Sequence, residues 1–184
     1  MPDTALLIVD LQAALVEGAH DAAACLARVA SLAERARAAD VPVVYLRQRV
    51  DSPGVPARPL DIHPAVAPRL KDTVVDKDSA DSFLDTPLDA VLRGQGVRQV
   101  VVTGFATEYC VDSTSRSALS HGYDLVVVAD GHTTPQRPAD SPLPSAAQVI
   151  VHHNAVFATI AYAGRTIQVL PAEKVAFTTG AAVG

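Results

Sequence analysis

Short apolar runs rich in valine, leucine and isoleucine recur along the chain, and each is interrupted by a charged or turn residue after a few positions. The runs occupy residues 5–9, 41–46, 73–75, 100–103 and 125–129. Continuous apolar runs of this length predict strands that are buried on both faces. Segments with helical periodicity alternate with them, at residues 21–39, 88–95, 110–121 and 144–153. This alternation predicts βαβ units, and therefore a parallel sheet with helices on its faces.

Two segments show neither pattern. Five of the thirteen prolines fall within residues 52–68, a density that excludes a helix or a central strand and predicts a long loop. A second loop is predicted at residues 131–144, after the strand that ends near Asp130. Long loops in α/β proteins often carry binding or catalytic residues, so we expect both loops to shape a functional site or an interface.

Composition narrows the classes of protein that fit. The 184 residues are 49% hydrophobic and 19% charged, which is enough for one well-buried domain over residues 1–184. The net charge of -5 is spread along the chain, so a nucleic-acid-binding face is not indicated. Cys25 and Cys110 lie in unlike contexts, which favours a reduced, cytoplasmic protein without a disulfide. No signal peptide or membrane-spanning run is evident in the sequence. Because no nucleic-acid-binding or membrane-binding segment is indicated, the expected partner is a small-molecule substrate.

Three residues at strand ends carry candidate chemistry. Asp10 ends the first predicted strand, Lys77 ends the third and Cys110 follows the fourth. Ligands of open parallel sheets bind beyond the carboxyl ends of the strands, so these side chains are expected to meet there. A carboxylate can take the proton of a thiol, and an ammonium can stabilise the resulting charge. Because Cys110 falls where a helix is predicted to begin, the helix dipole is also expected to favour its thiolate.

Five stretches in a fixed order carry a family resemblance. They are LLIVDLQ at 6–12, IHPAVAP at 62–68, VVDKDSADSF at 74–83, VVVTGFATEYCVDSTSRSA at 100–118 and GYDLVVVADGHTT at 122–134. Each stretch alone is loose, but with this order and spacing the chain resembles the isochorismatase-like cysteine hydrolases, which include nicotinamidases and N-carbamoylsarcosine amidases. The resemblance implies a three-layer α/β/α fold with a six-stranded parallel sheet ordered 3-2-1-4-5-6.

The same resemblance implies residue roles. Asp10 is the general base, Lys77 the stabilising cation and Cys110 the nucleophile. A cis peptide bond between Phe105 and Ala106 is implied as well, which would aim the backbone amides of Ala106 and Cys110 at the substrate oxygen. The implied reaction is attack of Cys110 on an amide-like carbonyl, followed by hydrolysis of a thioester.

Polar and aromatic residues beside these motifs are candidates for the substrate pocket. They are Gln12, Phe83, Phe105, Tyr109 and Thr114. Aromatic rings offer a flat apolar wall to a substrate. Core packing is an equally good interpretation of Phe83.

The resemblance implies neither a metal nor another cofactor. Metal-dependent nicotinamidases carry an Asp-x-His motif after the second strand, where this chain has Gln48 and Val50. Asp61 and His63 share that spacing, but metal-free relatives also possess the surrounding segment, and metal binding there is left open.

The remaining histidines give weaker signals. His132 is the histidine expected nearest the pocket mouth. His152, His153 and Asn154 are predicted after the last long helix, at a helix end or a subunit contact.

Two other functions fit the same sequence. An enol-ether hydrolase acting on an isochorismate-like molecule would not need Cys110, and a catalytically silent ligand-binding protein would not need a reactive thiol. Within amide chemistry, a streptothricin-hydrolase-like lactamase and a nicotinamidase-like amidase both remain open. Family members commonly associate, so a homodimer or homotetramer is expected.

Overall fold

A computed structural model describes residues 3–52 and 55–177, and a β-sheet lies at its centre. Residues 53 and 54, which belong to the predicted loop 52–68, lie outside the described residues. Within the described ranges the sheet has seven strands. They are β1 (Thr4–Val9), β2 (Val43–Ser52), β3 (Val55–Pro59), β4 (Thr73–Lys77), β5 (Gln99–Phe105), β6 (Asp124–Thr133) and β7 (Ile167–Leu170).

Six of these strands form a parallel sheet. Their spatial order is β4-β2-β1-β5-β6-β7. β2 pairs with β4 and β1, β5 pairs with β1 and β6, and β7 pairs with β6. Numbered among themselves, the parallel strands have the order 3-2-1-4-5-6, which confirms the prediction. The carboxyl ends of β1, β4 and β5 therefore lie at one edge of the sheet.

The remaining strand corrects the prediction of one long loop at residues 52–68. β3 pairs antiparallel with the far end of β2, with Arg49 opposite Pro59. Prolines are tolerated in an edge strand because an edge leaves amide positions that need no hydrogen-bond partner. The density of prolines therefore excluded a central strand but not this short hairpin.

Helices cover both faces of the sheet. The α-helices of the described part are α1 (Ala13–Val16), α2 (Ala22–Ala38), α3 (Leu88–Gly94), α4 (Asp112–Ser120) and α5 (Ala146–Thr159). On one face, α2 packs on alternate strand residues such as Leu6 and Ile8. On the other face, α3, α4 and α5 pack on Leu7 and Val9. Alternation of side chains across the strands separates the two apolar layers, which gives the predicted three-layer α/β/α architecture.

Several elements extend further than predicted, among them β6 and α5. β6 continues to Thr133 instead of ending near residue 129, so the predicted loop at 131–144 begins later. α5 is capped by Ser145, whose hydroxyl accepts from the Gln148 amide, and it continues to Thr159. His152, His153 and Asn154 consequently lie inside α5, and their predicted position after the helix is wrong.

No helix in residues 3–52 and 55–177 combines the length and the apolar composition needed to cross a membrane.

Candidate active site

The sheet brings Asp10, Lys77 and Cys110 together at its carboxyl edge. Asp10 directly follows β1, Lys77 is the last residue of β4, and Cys110 lies five residues beyond β5. The Asp10 amide donates to Leu46 O at 2.9 Å, which extends the pairing of β1 with β2 by one residue. The Asp10 backbone then turns away from the sheet with φ 48°, a left-handed conformation that aspartate adopts more readily than most residues.

Lys77 and Asp10 form a buried ion pair. Lys77 Nζ lies 2.7 Å from Asp10 Oδ2, and the two side chains are 0% and 1% exposed. Lys77 Nζ also donates to Gln48 Oε1 at 2.7 Å and to Ser79 O at 3.0 Å. Within the described residues neither Asp10 oxygen accepts a hydrogen bond of good geometry, so its contact with Lys77 is best described as electrostatic.

The Cys110 thiol lies close enough to Asp10 and Lys77 for both charges to act on its pKa. Burial, reinforced by the Asp10 charge and opposed by Lys77, raises the pKa of the Cys110 thiol to about 11. Cys110 lies in a π-helical turn, Thr107–Val111, that leads directly into α4 at Asp112, so it lies where a helix begins, as predicted. The expectation that the helix dipole favours the thiolate stays a prediction, and in the resting site burial has the larger effect on the pKa of Cys110.

The Asp10 carboxyl is suited to accept a proton. Burial raises the pKa of Asp10 above its ordinary value, while Lys77 and the neighbouring thiol oppose that increase. A carboxylate that binds protons more tightly than usual is a stronger base toward a neutral thiol. Asp10 and Cys110 can therefore exchange one proton.

The turn that carries Cys110 has a defined backbone. The peptide bond between Phe105 and Ala106 is cis, and Ala106 O accepts from the amides of Tyr109 and Val111, on either side of Cys110. The use of the Ala106 and Cys110 amides to bind a substrate oxygen stays a prediction.

Comparison of the sequence with known proteins identifies the family of the chain. The family model described as an isochorismatase domain matches residues 4–159. The chain belongs to the isochorismatase family. It is 40% identical over 146 residues to a streptothricin hydrolase of Streptomyces noursei, a match that covers 75% of the chain but only 57% of that relative.

Solved structures agree with this membership. A cysteine hydrolase from Pseudomonas syringae pv. phaseolicola 1448A superposes with a TM-score of 0.82 at 26% identity, covering 93% of this chain and 89% of that one. An N-carbamoylsarcosine amidase from Thermoplasma acidophilum has a TM-score of 0.71 at 23% identity, over 94% of this chain and 98% of that one. The latter similarity shows the shared fold alone.

In this isochorismatase-family chain, two candidate pocket residues form hydrogen bonds with segments next to Lys77. Gln12 is fully buried, donates to Gln48 O at 2.9 Å and accepts from Gln48 N at 2.9 Å. It thereby fixes the residue whose amide oxygen holds Lys77. The Thr114 hydroxyl lies 2.7 Å from Ser82 Oγ and accepts from Ser82 N at 3.2 Å, which fixes the segment after Lys77.

The three aromatic candidates lie in different surroundings. Phe83 is buried in the apolar layer beneath α3 and α4, with its ring stacked 4.7 Å from that of His121. Phe105 is buried in the layer on the opposite face. Tyr109 is 61% exposed beside Cys110, so of the three rings it is the one open to an approaching molecule.

Several contacting residues were not identified from the sequence. Gln48 lies opposite Lys77 in the β2–β4 register and binds its ammonium. Glu108, two residues before Cys110, accepts from the Thr134 hydroxyl and pairs with Arg137. The sequence alone does not predict these contacts, because they depend on how neighbouring strands are aligned with each other.

The Asp61 and His63 pair has a structural explanation. His63 Nδ1 accepts from the Ala65 amide at 3.2 Å and caps a short 3-10 helix, Pro64–Val66. In the described part of the chain no three histidine, cysteine or acidic side chains come together as a metal-ligand set. Gln48, at the position of a metal ligand in the metal-dependent relatives, instead binds Lys77.

Two surface cavities lie near this region. One, of about 600 Å³, lies between α1, α2 and His63, with alanine at half of its lining positions, and it is bordered by none of Asp10, Lys77 and Cys110. A second, of about 610 Å³, runs along α4 and is bordered by Ala80, Asp81 and Tyr109. Of these two cavities, the groove along α4 is the one that adjoins the turn carrying Cys110.

Proposed function

We propose that this isochorismatase-family protein hydrolyses a carbon–nitrogen bond of a small amide, lactam or ureido compound through a thioester on Cys110. The observation that carries the proposal is the proximity of one thiol to a buried Asp10–Lys77 ion pair, close enough for both charges to act on the thiol's pKa. A nucleophile, a base that can take its proton and a cation that compensates the charge are the groups this reaction needs.

The chemistry follows from the protonation states. Asp10 accepts the thiol proton as Cys110 Sγ attacks the carbonyl carbon, and the amides of Ala106 and Cys110 are proposed to bind the resulting oxyanion. When the intermediate collapses, the C–N bond breaks and Asp10 gives its proton to the departing nitrogen. Asp10 then takes a proton from the water that attacks the thioester, and it returns this proton to Cys110 Sγ as the C–S bond breaks and the acid is released. Lys77 keeps the site electrically compensated throughout.

The substrate is a small molecule whose acyl group reaches Cys110 past Tyr109. The name of the streptothricin hydrolase relative makes streptothricin the first candidate to test. The name of the N-carbamoylsarcosine amidase adds ureido compounds. We also propose, by family analogy, that the protein is a homodimer or homotetramer, which sedimentation velocity would measure.

The test is a hydrolysis screen over streptothricin, nicotinamide, other amides, lactams, ureido compounds and isochorismate. Wild-type protein should cleave at least one C–N substrate, and Cys110→Ala should lose about a thousandfold or more of that turnover. Cys25→Ala is the matched control and should keep wild-type turnover, because Cys25 is buried in α2 away from the triad. Turnover retained by Cys110→Ala would reject the thioester route and favour enol-ether chemistry. A wild-type protein inactive on every compound would favour a binding protein.

A further inference from the structure

Three polar side chains outside the triad form a buried hydrogen-bonded chain behind the nucleophile turn. They are Thr107 at the start of that turn, His132 on β6 and Asn154 on α5. His132 is 3% exposed, with Nδ1 2.9 Å from Thr107 Oγ1 and Nε2 3.0 Å from Asn154 Oδ1. Asn154 Nδ2 donates to Ala129 O at 2.9 Å. Both ring nitrogens of His132 are thus engaged, so its hydrogen bonding leaves none free for proton transfer.

The Ala129 carbonyl fixes the direction of the chain. A carbonyl only accepts, so the Asn154 amide nitrogen must face it and Asn154 Oδ1 must face the histidine ring. Nε2 of His132 therefore carries the hydrogen, and Nδ1 accepts from the Thr107 hydroxyl. Burial lowers the pKa of His132, against the opposing effect of the hydrogen bond that Nε2 donates to Asn154 Oδ1, so the ring is neutral at neutral pH. Its titratable neighbours are Asp130 and His153.

This series of hydrogen bonds links the turn Thr107–Val111, which carries Cys110 and is called the nucleophile turn here, to β6 and α5. Thr107 precedes Cys110 by three residues and directly follows Ala106. The next residue, Glu108, accepts from the Thr134 hydroxyl and pairs with Arg137, and both of these residues lie in the segment just after β6. Two successive residues of the turn are therefore held by side chains from one neighbouring segment.

We propose that His132 is a positioning residue, which holds Thr107 so that the turn presents Cys110 Sγ to Asp10 and Lys77. The inference rests on the proposed function for its kinetic consequence, but the placement of the thiol can be measured without turnover. Displacements of a nucleophile by about 1 Å can lower rates about a hundredfold, so loss of this contact should act on the chemical step.

The kinetic test compares two substitutions at Thr107. Thr107→Val removes the hydroxyl with little change of shape, whereas Thr107→Ser keeps it. We expect Thr107→Val to lower kcat about tenfold or more with KM within about twofold of wild type, and Thr107→Ser to restore kcat. A contact that serves folding alone would lower the melting temperature and leave kcat of the folded protein unchanged. That result would overturn the proposal.

A second readout does not depend on turnover. In a Cys25→Ala background, the rate of Cys110 alkylation by iodoacetamide is measured against pH. The wild-type midpoint should lie above that of an ordinary thiol, and in Thr107→Val it should move about one pH unit lower as the thiol leaves its buried place beside Asp10. The Thr107→Ser profile should match the wild type. Coinciding profiles for all three proteins would overturn the proposal. If the wild type hydrolyses nothing, the proposed function fails while this comparison still decides the role of His132.

Nitrogen-15 NMR of the unsubstituted protein tests the chain itself, so a poorly folding variant cannot obscure the answer. His132 should be neutral at neutral pH with the hydrogen on Nε2. A ring protonated on Nδ1, or a cationic ring, would contradict the assigned hydrogen-bond direction.

Discussion

At the scale of single residues, the site depends on a buried pair of opposite charges. Burying a charge destabilises a protein unless partners compensate it, and Lys77 has three such partners while Asp10 has one close cation. Replacing such a pair with apolar residues often leaves stability unchanged or higher, so stability alone does not explain it. The proposed proton exchange with Cys110 does explain it, because burial raises the pKa of the exchanging carboxylate and Lys77 compensates its charge.

The Lys77 charge should set the pH dependence of the base. Lys77 lowers the pKa of Asp10 against the effect of burial, so Lys77→Met should raise that pKa further. The reaction needs deprotonated Asp10, and the acid limb of kcat/KM should therefore move to higher pH as kcat falls. Carbon-13 NMR of Asp10 gives the same shift without turnover. Lys71→Met, at an exposed position, is the control. An acid limb that stays in place or moves to lower pH in Lys77→Met would contradict the assigned interaction.

At the scale of elements, the close approach of β1 and β5 positions Asp10. Val9 lies opposite Gly104, and a Cβ placed on Gly104 would lie 2.0 Å from Val9 O. Gly104 also has φ 131°, which side chains other than glycine rarely adopt. A glycine at this strand end therefore permits the pairing that places Asp10 next to the nucleophile turn.

Gly104→Ala should strongly destabilise the protein. The clash is with backbone, which cannot rotate away, so the free energy of unfolding should fall by more than about 3 kcal/mol in urea titrations. Gly94→Ala is the matched control, because Gly94 ends α3 with open space around it and alanine favours helix by up to about 1 kcal/mol. Equal stabilities of the two variants would argue against the close approach of Gly104 to Val9.

The parts of the fold that the sequence predicted are those set by local patterning. α2 and α3 were located within one residue at each end, because their apolar periodicity ends at clear turn residues. β7 was not located, since Ile167–Leu170 is a four-residue edge strand that resembles many short apolar runs. β3 was missed because the prolines that exclude a central strand do not exclude an edge hairpin.

Part of the candidate site could also be predicted from the sequence, and part could not. The placement of Asp10, Lys77 and Cys110 at one edge of the sheet could be predicted, because parallel strands place their carboxyl ends together. The chain through His132 could not be predicted, because it depends on a bulge. The β5–β6 register shifts between Val102 and Gly104, so that His132 faces Gly104. Apolar patterning gives no indication of such a shift.

At the scale of the whole molecule, the sheet separates two apolar layers that support the site from opposite sides. Leu32 of α2 lies in one layer and Leu92 of α3 in the other, and both are 0% exposed. Strands β1 and β5 contribute alternate residues to both layers. The position of the strand ends therefore depends on packing on each face.

Core substitutions on the two faces should act independently. Leu32→Ala and Leu92→Ala should each lower the free energy of unfolding by about 2–5 kcal/mol, since each leaves a buried cavity. The double variant should show the sum within about 0.5 kcal/mol, because the sheet lies between the two sites. Leu70→Ala, at an exposed position, should change little. Strong coupling in the double-mutant cycle would show that the layers are not separate.

The most direct test of the central claim is rapid-quench mass spectrometry of the protein during turnover of a cleaved amide, lactam or ureido substrate. A thioester intermediate predicts a mass increase equal to the acyl group, located on the peptide that contains Cys110. The adduct should persist in Cys25→Ala and be absent from Cys110→Ala, which should also lose turnover. Continued turnover by Cys110→Ala, with no adduct on the wild-type protein, would contradict the account.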